Sequence, residues 1–542
     1  MVGDFAAYHP VREPEVNPRI ITEPIAGNPL AAAAIAGELL NGWYETKPAG
    51  IKAWRERVDS VRSDTPGDWL ARLGPAFDAT GKARERLESV ARGKGVVVTT
   101  GQQPGLFGGP IYTLSKALSA LALADSLQQA TGIPVAPVFW AATDDTDFKE
   151  ASSTVIAVPG GAQMLRIDHS EPLGRPMAAM PLGDVSSLLE ALARSAGSVV
   201  DRKPIDLLEI SYARDATVGS SYVAFLRALF APLGIAVIDA SHPATRAAAR
   251  PVLAAALEKA DEIAAAVSAR NVELERAGFA PQVQDVPGLS LVFSAESGGR
   301  KRIPIKAVGK HALAEDLGPN VLLRPIVERV ILPTATYVGG PAEIAYFAQI
   351  APIADALGVA RPTIVPRWSC TIIEPHVEKI MERLHLLPED LRDPHEAESR
   401  VARSYLPKRV LEELAATRAA LDESLDALGK AVVEEEAPVP AAVTGGLRAN
   451  LTRRLDRFER RLIAAAKKHS DVMLEIGTAR GSLYPLGTPQ ERSLNFVPLL
   501  ARYGPMLRDE MLSQARSHTE RMLGATKASP ALEKAGAARG RS

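Results

Sequence analysis

The clearest pattern along the chain is a three-and-four spacing of apolar side chains in its last third. Leu411, Leu414, Arg418, Leu421, Leu425, Leu428 and Val432 keep an a/d register with one polar a position. Leu451, Leu455, Phe458, Leu462, Ala465, His469, Val472 and Ile476 keep a second register that weakens toward its end. Residues 434–446, with two prolines and a Gly-Gly pair, break the pattern between them. Two heptad helices joined by one turn predict an antiparallel coiled-coil hairpin. Charge agrees: residues 412–436 hold eight acids against two bases, and residues 451–470 hold seven bases against two acids. Facing helices of opposite sign attract, although each exposed pair adds little.

A different pattern occupies the first third. Residues 1–92 read as helices and turns punctuated by Pro18, Pro24, Pro29 and Pro48. The β-branched run 95–100 then predicts a buried strand. It enters a glycine-rich loop, 101–110, and a helix over 111–130 with Leu114, Leu118, Leu121 and Leu127 near helical spacing. A second apolar strand, 134–140, ends in Asp144, Asp145 and Asp147. Strand, loop, helix, strand within fifty residues is a βαβ unit, which implies a parallel sheet covered by helices. Further on, 151–200 alternates turns with short strands, 219–232 predicts an amphipathic helix, 234–240 a buried strand, and 243–278 helix. Residues 282–331 predict β-hairpins around Gly298-Gly299, 330–340 a strand running into a loop, and Pro341 to Leu357 one helix opened by proline. The fold class is therefore α/β, with a helical hairpin appended.

Composition narrows the function classes. At 542 residues, two or three packed units are expected. Sixty-three basic against 64 acidic side chains leave a net charge of −1, so nothing calls for nucleic acid or an anionic membrane. The single cysteine, Cys370, excludes an internal disulfide and a cysteine zinc cluster, and it reads as a small buried hydrophobe. The nine histidines show no metal spacing, so no zinc is expected. The first residues lack a basic start followed by an apolar run, and no apolar stretch approaches the ~20 residues of a membrane span. A cytoplasmic protein is expected.

Candidate chemistry gathers at the strand ends. The loop with Gly101, Gln102, Gln103 and Gly105 joins a strand to a helix start, where backbone N–H groups and the positive helix end attract phosphate or carboxylate. It matches neither the Walker loop nor the dinucleotide fingerprint, and a tight turn without ligand is the plainer reading. Tyr112 and Lys116 share the face of the first helical turns, where Lys116 meets either a phosphate or solvent. Asp144, Asp145 and Asp147 follow a strand directly, where ligands bind in open parallel sheets. They could hold Mg²⁺, serve as a base toward an amine, or cap the next turn. The run from Leu332 repeats the logic: Thr334 in the strand, Gly339 and Gly340 in the turn, Glu343 and Tyr346 in the helix, with Glu343 also a plausible helix cap. Arg324, Arg361 and Arg367 each neighbour a proline and suit a carboxylate fork or a structural ion pair.

Four blocks, in order, resemble the BshC family of bacillithiol biosynthesis: TTGQQPGLFGGPIYTLSKALSALALA, PVFWAATDDTDFKEAS, ILPTATYVGGPAEIAYFAQI, and LYPLGTPQERSLNFVPLLARYG with its Gln-Glu-Arg and Asn. The resemblance covers most of the chain and implies a Rossmann-like parallel-sheet core with inserted connecting-peptide regions, plus an antiparallel coiled-coil hairpin that pairs two subunits. It implies a division into 1–180 and 181–330 for the core and its insertions, 331–375 completing the core, 376–482 for the hairpin, 483–524 packing on the core, and a disordered tail from 525 to 542. The implied activity joins the carboxyl of L-cysteine to the amine of glucosaminyl-malate, the last step of bacillithiol synthesis.

Amide formation from a free carboxylate is uphill in water, so ATP or ADP is expected as energy source, with an acyl-adenylate by analogy to Rossmann-like nucleotidyltransferases. The HIGH and KMSKS signatures of class I synthetases are absent. Gly101, Gln102, Gln103, Gly105 and Lys116 would hold phosphates or malate carboxylates. Asp144 or Asp145 would bind Mg²⁺ or act as the amine base, and Arg324 or Arg367 would grip carboxylates. A synthetase for another amino acid, or a scaffold or RNA-gripping arm, are the other readings.

Overall fold

Three consecutive valines open the central strand. Val96, Val97 and Val98 are all buried in β1 (Val96–Gln102), which lies within a five-stranded parallel sheet. The other strands are β2 (Val135–Ala141), β3 (Ala236–Asp239), β4 (Thr334–Gly339) and β5 (Ile364–Pro366), in the order β5-β4-β1-β2-β3. The computed structural model describes residues 17–25, 27–39, 42–168, 174–296, 299–308, 316–436, 438–440, 442–466 and 470–524. By internal contacts the chain forms a larger unit (17–156, 164–372, 491–542) and a smaller one (1–16, 157–163, 373–490).

In the larger unit both sheet faces are covered, which is why the strands read as continuous apolar runs and not as alternations. Ala136, Val138 and Trp140 face one core with Leu73, Phe77, Leu253 and Ile326. Val96, Val98 and Val135 face another with Trp54, Val58 and Leu127. The helix Ile111–Thr131 connects β1 to β2 and is buried along most of its length. The chain then moves outward to β3 and later returns to the far side of β1 as β4. That reversal opens a crevice beyond the carboxyl ends of β1 and β4. A three-stranded antiparallel sheet, with Leu289–Glu296 between Gly299–Pro304 and Leu317–Pro319, is inserted between β3 and β4.

Several expectations shift. Residues 186–195 are helical where turns and short strands were expected. The end of the expected hairpin region is a helix, Arg324–Ile331, so β4 starts only at Thr334. Its apolar residues are buried on a short run, where periodicity cannot separate strand from helix. The expected helix from Pro341 to Leu357 is two, Pro341–Phe347 and Ala351–Leu357, because Pro352 supplies no N–H in the first turn of the second. Gly298 and the tail 525–542 lie outside the described residues.

In the smaller unit the hairpin helices are Lys408–Glu434 and Ala442–Ala466, followed by Ser470–Leu483. Leu414 and Leu425 are buried, and in the second register Leu451, Leu455 and Leu462 are half-buried and Ile476 buried as expected, but Phe458 gives way to its neighbour. Glu459 is buried while Phe458 is 52% exposed. The polar a position decides this: Arg418 reaches Glu459 and Asp456, each at 2.7 Å. A half-buried guanidinium draws carboxylates to the seam in preference to a ring.

Candidate active site

Beyond the carboxyl ends of β1, β2 and β4 lies a cavity of about 530 Å³. Twelve of the residues singled out in the sequence line it: Gly101, Gln102, Gln103, Tyr112, Lys116, Asp144, Asp145, Arg324, Gly340, Glu343, Tyr346 and Arg367. The sheet register is what joins them. Gly101 pairs with Trp140 of β2, and Thr99 pairs with Tyr337 of β4, so the two strand-to-helix turns emerge side by side. A Cβ on Gly101 would lie 2.8 Å from the Trp140 carbonyl oxygen, so only glycine lets β1 and β2 close here.

The floor is a buried polar network. Lys116 is 4% exposed, and its ammonium donates to the Gly101 carbonyl and the Gln102 side-chain oxygen, each at 2.9 Å, and pairs with Glu343 at 2.6 Å. Its three protons are thereby engaged. Burial pulls its pKa down against the opposing charge of Glu343. Burial alone would raise Glu343, but Lys116, Arg324 and the Gly340 N–H outweigh it and hold that carboxyl below its ordinary value. Glu343 also accepts from the Tyr337 hydroxyl at 2.5 Å and from Gly340 N–H at 2.7 Å. Arg324 donates to the Tyr346 hydroxyl at 2.9 Å and lies 3.4 Å from Glu328. Glu328 accepts from Thr99, and burial pushes it up to about 7. Arg367 forks Glu491 at 2.8 and 2.6 Å.

The expected anion cradle therefore differs in substance. The Gly340 N–H is capped by Glu343, and Ile111 N–H, at the start of the following helix, donates to the Leu494 carbonyl. Lys116 and Arg367 are tied to carboxylates of the protein itself.

The rim is more open. Tyr112 accepts from Gln102 Nε2 at 3.1 Å and donates to Glu150 at 3.3 Å, and Gln103 donates to the same carboxylate. Asp144 pairs with Arg300 at 3.2 Å. Asp145 accepts the Asp147 N–H at 2.8 Å, and burial raises its carboxyl. Among the described residues no group of three or more His, Cys, Asp or Glu is gathered to hold a metal ion.

The other singled-out residues sit elsewhere. Asp147 caps the short helix Phe148–Ala151. Thr334 is buried at the opposite end of β4, level with Val97. Gly339 packs behind its turn, where a Cβ would meet Ile364 at 2.7 Å. Gly105 lines an adjoining hollow of about 240 Å³ that shares Gln102, Gln103, Tyr112, Glu150 and Arg492 with the main cavity. Arg361 is bound to Asp355 in an ion pair at 2.5 Å. Cys370 is wholly buried, and burial raises its thiol pKa.

Glu150, Arg300, Arg302, Asn320 and Arg492 also line the cavity and carry no signal by spacing. Glu150 and Arg492 lay within recognisable runs, the block 137–152 and the Gln-Glu-Arg at 490–492. Arg492 is exposed and has no hydrogen-bond or ion-pair partner among the described residues.

A parallel sheet that reverses direction at a charged cavity, with a heptad hairpin elsewhere in the chain, defines a Rossmann-like α/β protein with a coiled-coil appendage. Residues 35–368 match the family described as "Bacillithiol biosynthesis BshC, N-terminal Rossmann-like domain", and residues 370–523 match "Bacillithiol biosynthesis BshC, C-terminal coiled-coil domain". The chain belongs to the BshC family. A relative from Solibacter usitatus named "Putative cysteine ligase BshC" is 31% identical over 483 residues, covering 85% of this chain and 90% of its own. One of the same name from Koribacter versatilis is 31% identical over 82% of this chain and 86% of its own, and one from Salinibacter ruber 27% over 88% and 97%.

Proposed function

We propose that this chain joins the carboxyl of L-cysteine to the amine of glucosaminyl-malate as an amide, in the last step of bacillithiol biosynthesis, at the expense of a nucleotide. The observation that carries this reading is the charge of the cavity. Of the six cationic side chains around it, Lys116, Arg300, Arg324 and Arg367 are matched by carboxylates of the protein, while Arg302 and Arg492 have no ion-pair partner among the described residues. Two unmatched guanidinium groups in a crevice suit ligands with several negative charges, as malate and phosphate esters have. About 530 Å³ is ample for a small-molecule site.

The roles follow from which groups are free. Arg492 has no partner to lose and would grip a malate or phosphate oxygen. Arg302 spends donors on the Ser290 carbonyl at 2.8 Å and the Leu289 carbonyl at 3.3 Å, and keeps others for a ligand. In an adenylate route the cysteine carboxylate oxygen attacks the α-phosphorus of ATP and pyrophosphate leaves. The neutral amine then attacks the acyl carbon, AMP leaves, and the amine proton passes to a carboxylate. Asp145, whose carboxyl is raised by burial, suits that last task, because a base nearer neutrality transfers protons more effectively. Lys116 holds the Gly101 turn directly and the Gly340 turn through Glu343, Arg367 is taken up by Glu491, and neither cation contacts substrate.

We also infer a homodimer formed through the hairpin, in the cytoplasm. Leu428, Val433, Val439, Val443 and Leu447 are exposed on the hairpin, more apolar surface than a solvated arm needs. No helix among the described residues is long and apolar enough to cross a membrane.

Purified protein with cysteine, glucosaminyl-malate and ATP should yield bacillithiol by mass spectrometry. Asp145→Asn and Arg492→Ala should each cut the yield sharply. Absence of product with any nucleotide, or full activity in both variants, would sink the reading.

A further inference from the structure

The adjoining hollow of about 240 Å³ is lined differently from the main cavity. Among the described residues, the charged side chains around it are Glu150 and Arg492, and both also line the main cavity. They stand at the threshold between the two spaces, with Gln102, Gln103 and Tyr112. Beyond the threshold the polar lining is serine and threonine, and the rest is proline, glycine, valine and methionine. Glu150 is held at the lip by the Tyr112 hydroxyl at 3.3 Å and by the Gln103 amide. A carboxylate has about four acceptor sites, so others stay open to a ligand. Arg492 brings an unmatched guanidinium to the same lip. Further in, Ser153 donates to the Lys149 carbonyl at 3.3 Å and keeps its oxygen as an acceptor.

This order of groups restricts the ligand. A water needs ~10–15 Å³ of such space, so the hollow has room for about a dozen or more heavy atoms, the size of a hexose. A carboxylate beside a guanidinium at the lip suits a cation beside an anion at one end of the ligand. The uncharged interior suits hydroxyls and C–H surface at the other end. An amino sugar that carries an acid on its anomeric carbon is built this way. Its amine sits on the next ring carbon, so both charges share one edge, and the rest of the ring holds only hydroxyls. A nucleotide has phosphates for Arg492 but no cation to meet Glu150.

We propose that the hollow is the acceptor subsite, holding the sugar ring of glucosaminyl-malate with its malate on Arg492 and its amine on Glu150, at the edge of the main cavity. This rests on the ligase reading above and gives the acceptor its place. Burial first, and then the charges of Asp147 and Asp145, raise the Glu150 carboxyl, so an arriving ammonium relieves a crowd of like charges. The same proximity leaves the amine within the field of Asp145, the proposed proton acceptor. Glu150 binds and orients the amine, and no bond forms or breaks within the hollow.

The test uses the full chain. Calorimetry measures binding of glucosaminyl-malate, its N-acetylated form and L-malate, and turnover gives the KM for glucosaminyl-malate, cysteine and ATP. The wild type should prefer glucosaminyl-malate to the other two. Glu150→Gln should weaken glucosaminyl-malate about ten- to hundredfold, the loss of one charge-assisted hydrogen bond, and leave the N-acetylated form unchanged. Ser153→Leu and Ser493→Leu, which fill the hollow, should weaken glucosaminyl-malate and spare L-malate. The KM for cysteine and for ATP should hold in all of these variants. A rise in the KM for ATP in place of that for the acceptor would give the hollow to the nucleotide and overturn the proposal. Equal losses for the amine and its N-acetylated form in Glu150→Gln would overturn it as well. Should the serine variants not fold, Glu150→Gln decides alone. Product formed with acceptor affinity unchanged in the variants would overturn the subsite and keep the ligase reading. Acceptor binding weakened as expected, with no product from the wild type, would keep the subsite and overturn the ligase reading. A wild type that binds no glucosaminyl-malate overturns both.

Discussion

Two regions of this molecule are built from the same kinds of charged side chain and use them differently. At the carboxyl ends of the sheet, the side chains of Lys116 and Glu343 are 5% and 15% exposed, and each has further hydrogen bonds within the protein. Along the hairpin, Arg448 and Asp422 are 36% and 59% exposed, 3.1 Å apart, with water as the alternative partner for both. A buried charge without its partner is costly, whereas an exposed one is simply hydrated. The sheet end is therefore a fixed frame on which the Gly101 and Gly340 turns are held. The hairpin charges set orientation at little energetic consequence.

The comparison can be broken in descending order of effect. Asp145→Asn removes the proposed base, and a loss in turnover of about 10²- to 10⁴-fold is expected with little change in unfolding midpoint. A turnover within a few-fold of wild type would place the base elsewhere.

Lys116→Ala leaves Glu343 buried without its ammonium and should destabilise the chain by about 3–5 kcal/mol in denaturant titration. Lys116→Met combined with Glu343→Gln should recover much of that loss. A loss below about 1 kcal/mol for the single variant would mean the frame is no more rigid than the hairpin.

Glu328 gives a pH signature of the same frame. Its folded carboxyl is pushed up to about 7 from an ordinary 4.5, so between those values the folded state holds more protons than the unfolded state. This group's contribution is therefore largest below pH 4.5 and is lost as pH rises toward 7, by about 3 kcal/mol in all. Glu328→Gln should flatten that part of the stability profile, seen as a shrinking gap from wild type at low pH. Parallel profiles would show that Glu328 titrates normally.

The smallest effects belong to the hairpin. Arg448→Ala should cost under about 1 kcal/mol and vanish at high salt. Val443→Glu with Leu447→Glu should halve the mass in light scattering, from twice 57.7 kDa to one chain, while sparing the melting temperature. A species that stays at one chain mass in the wild type would remove the dimer altogether.

Much of the architecture was legible in the chain because local rules governed it. The valine run at 96–98 is a buried strand in any context, the leucines at 414 and 425 need a partner helix, and a glycine-rich turn between strand and helix marks a strand end. The stretch around Arg324 was misread because a short apolar run fits strand and helix alike, and only its neighbours decide. Phe458 was misplaced because a single arginine across the seam preferred Glu459.

What the sequence determined by itself was the set of chemical groups and the strand-turn-helix units that carry them, since those depend on residues a few positions apart. Only the tertiary structure decided which groups remain free. Lys116 and Arg367 looked like ligand cations until Glu343, 227 positions away, and Glu491, 124 away, were brought onto them. Arg492 became available for want of such a partner. Desolvation is the physical reason: a charge or donor has a function to spare only if folding has not already matched it, and that matching is made through space.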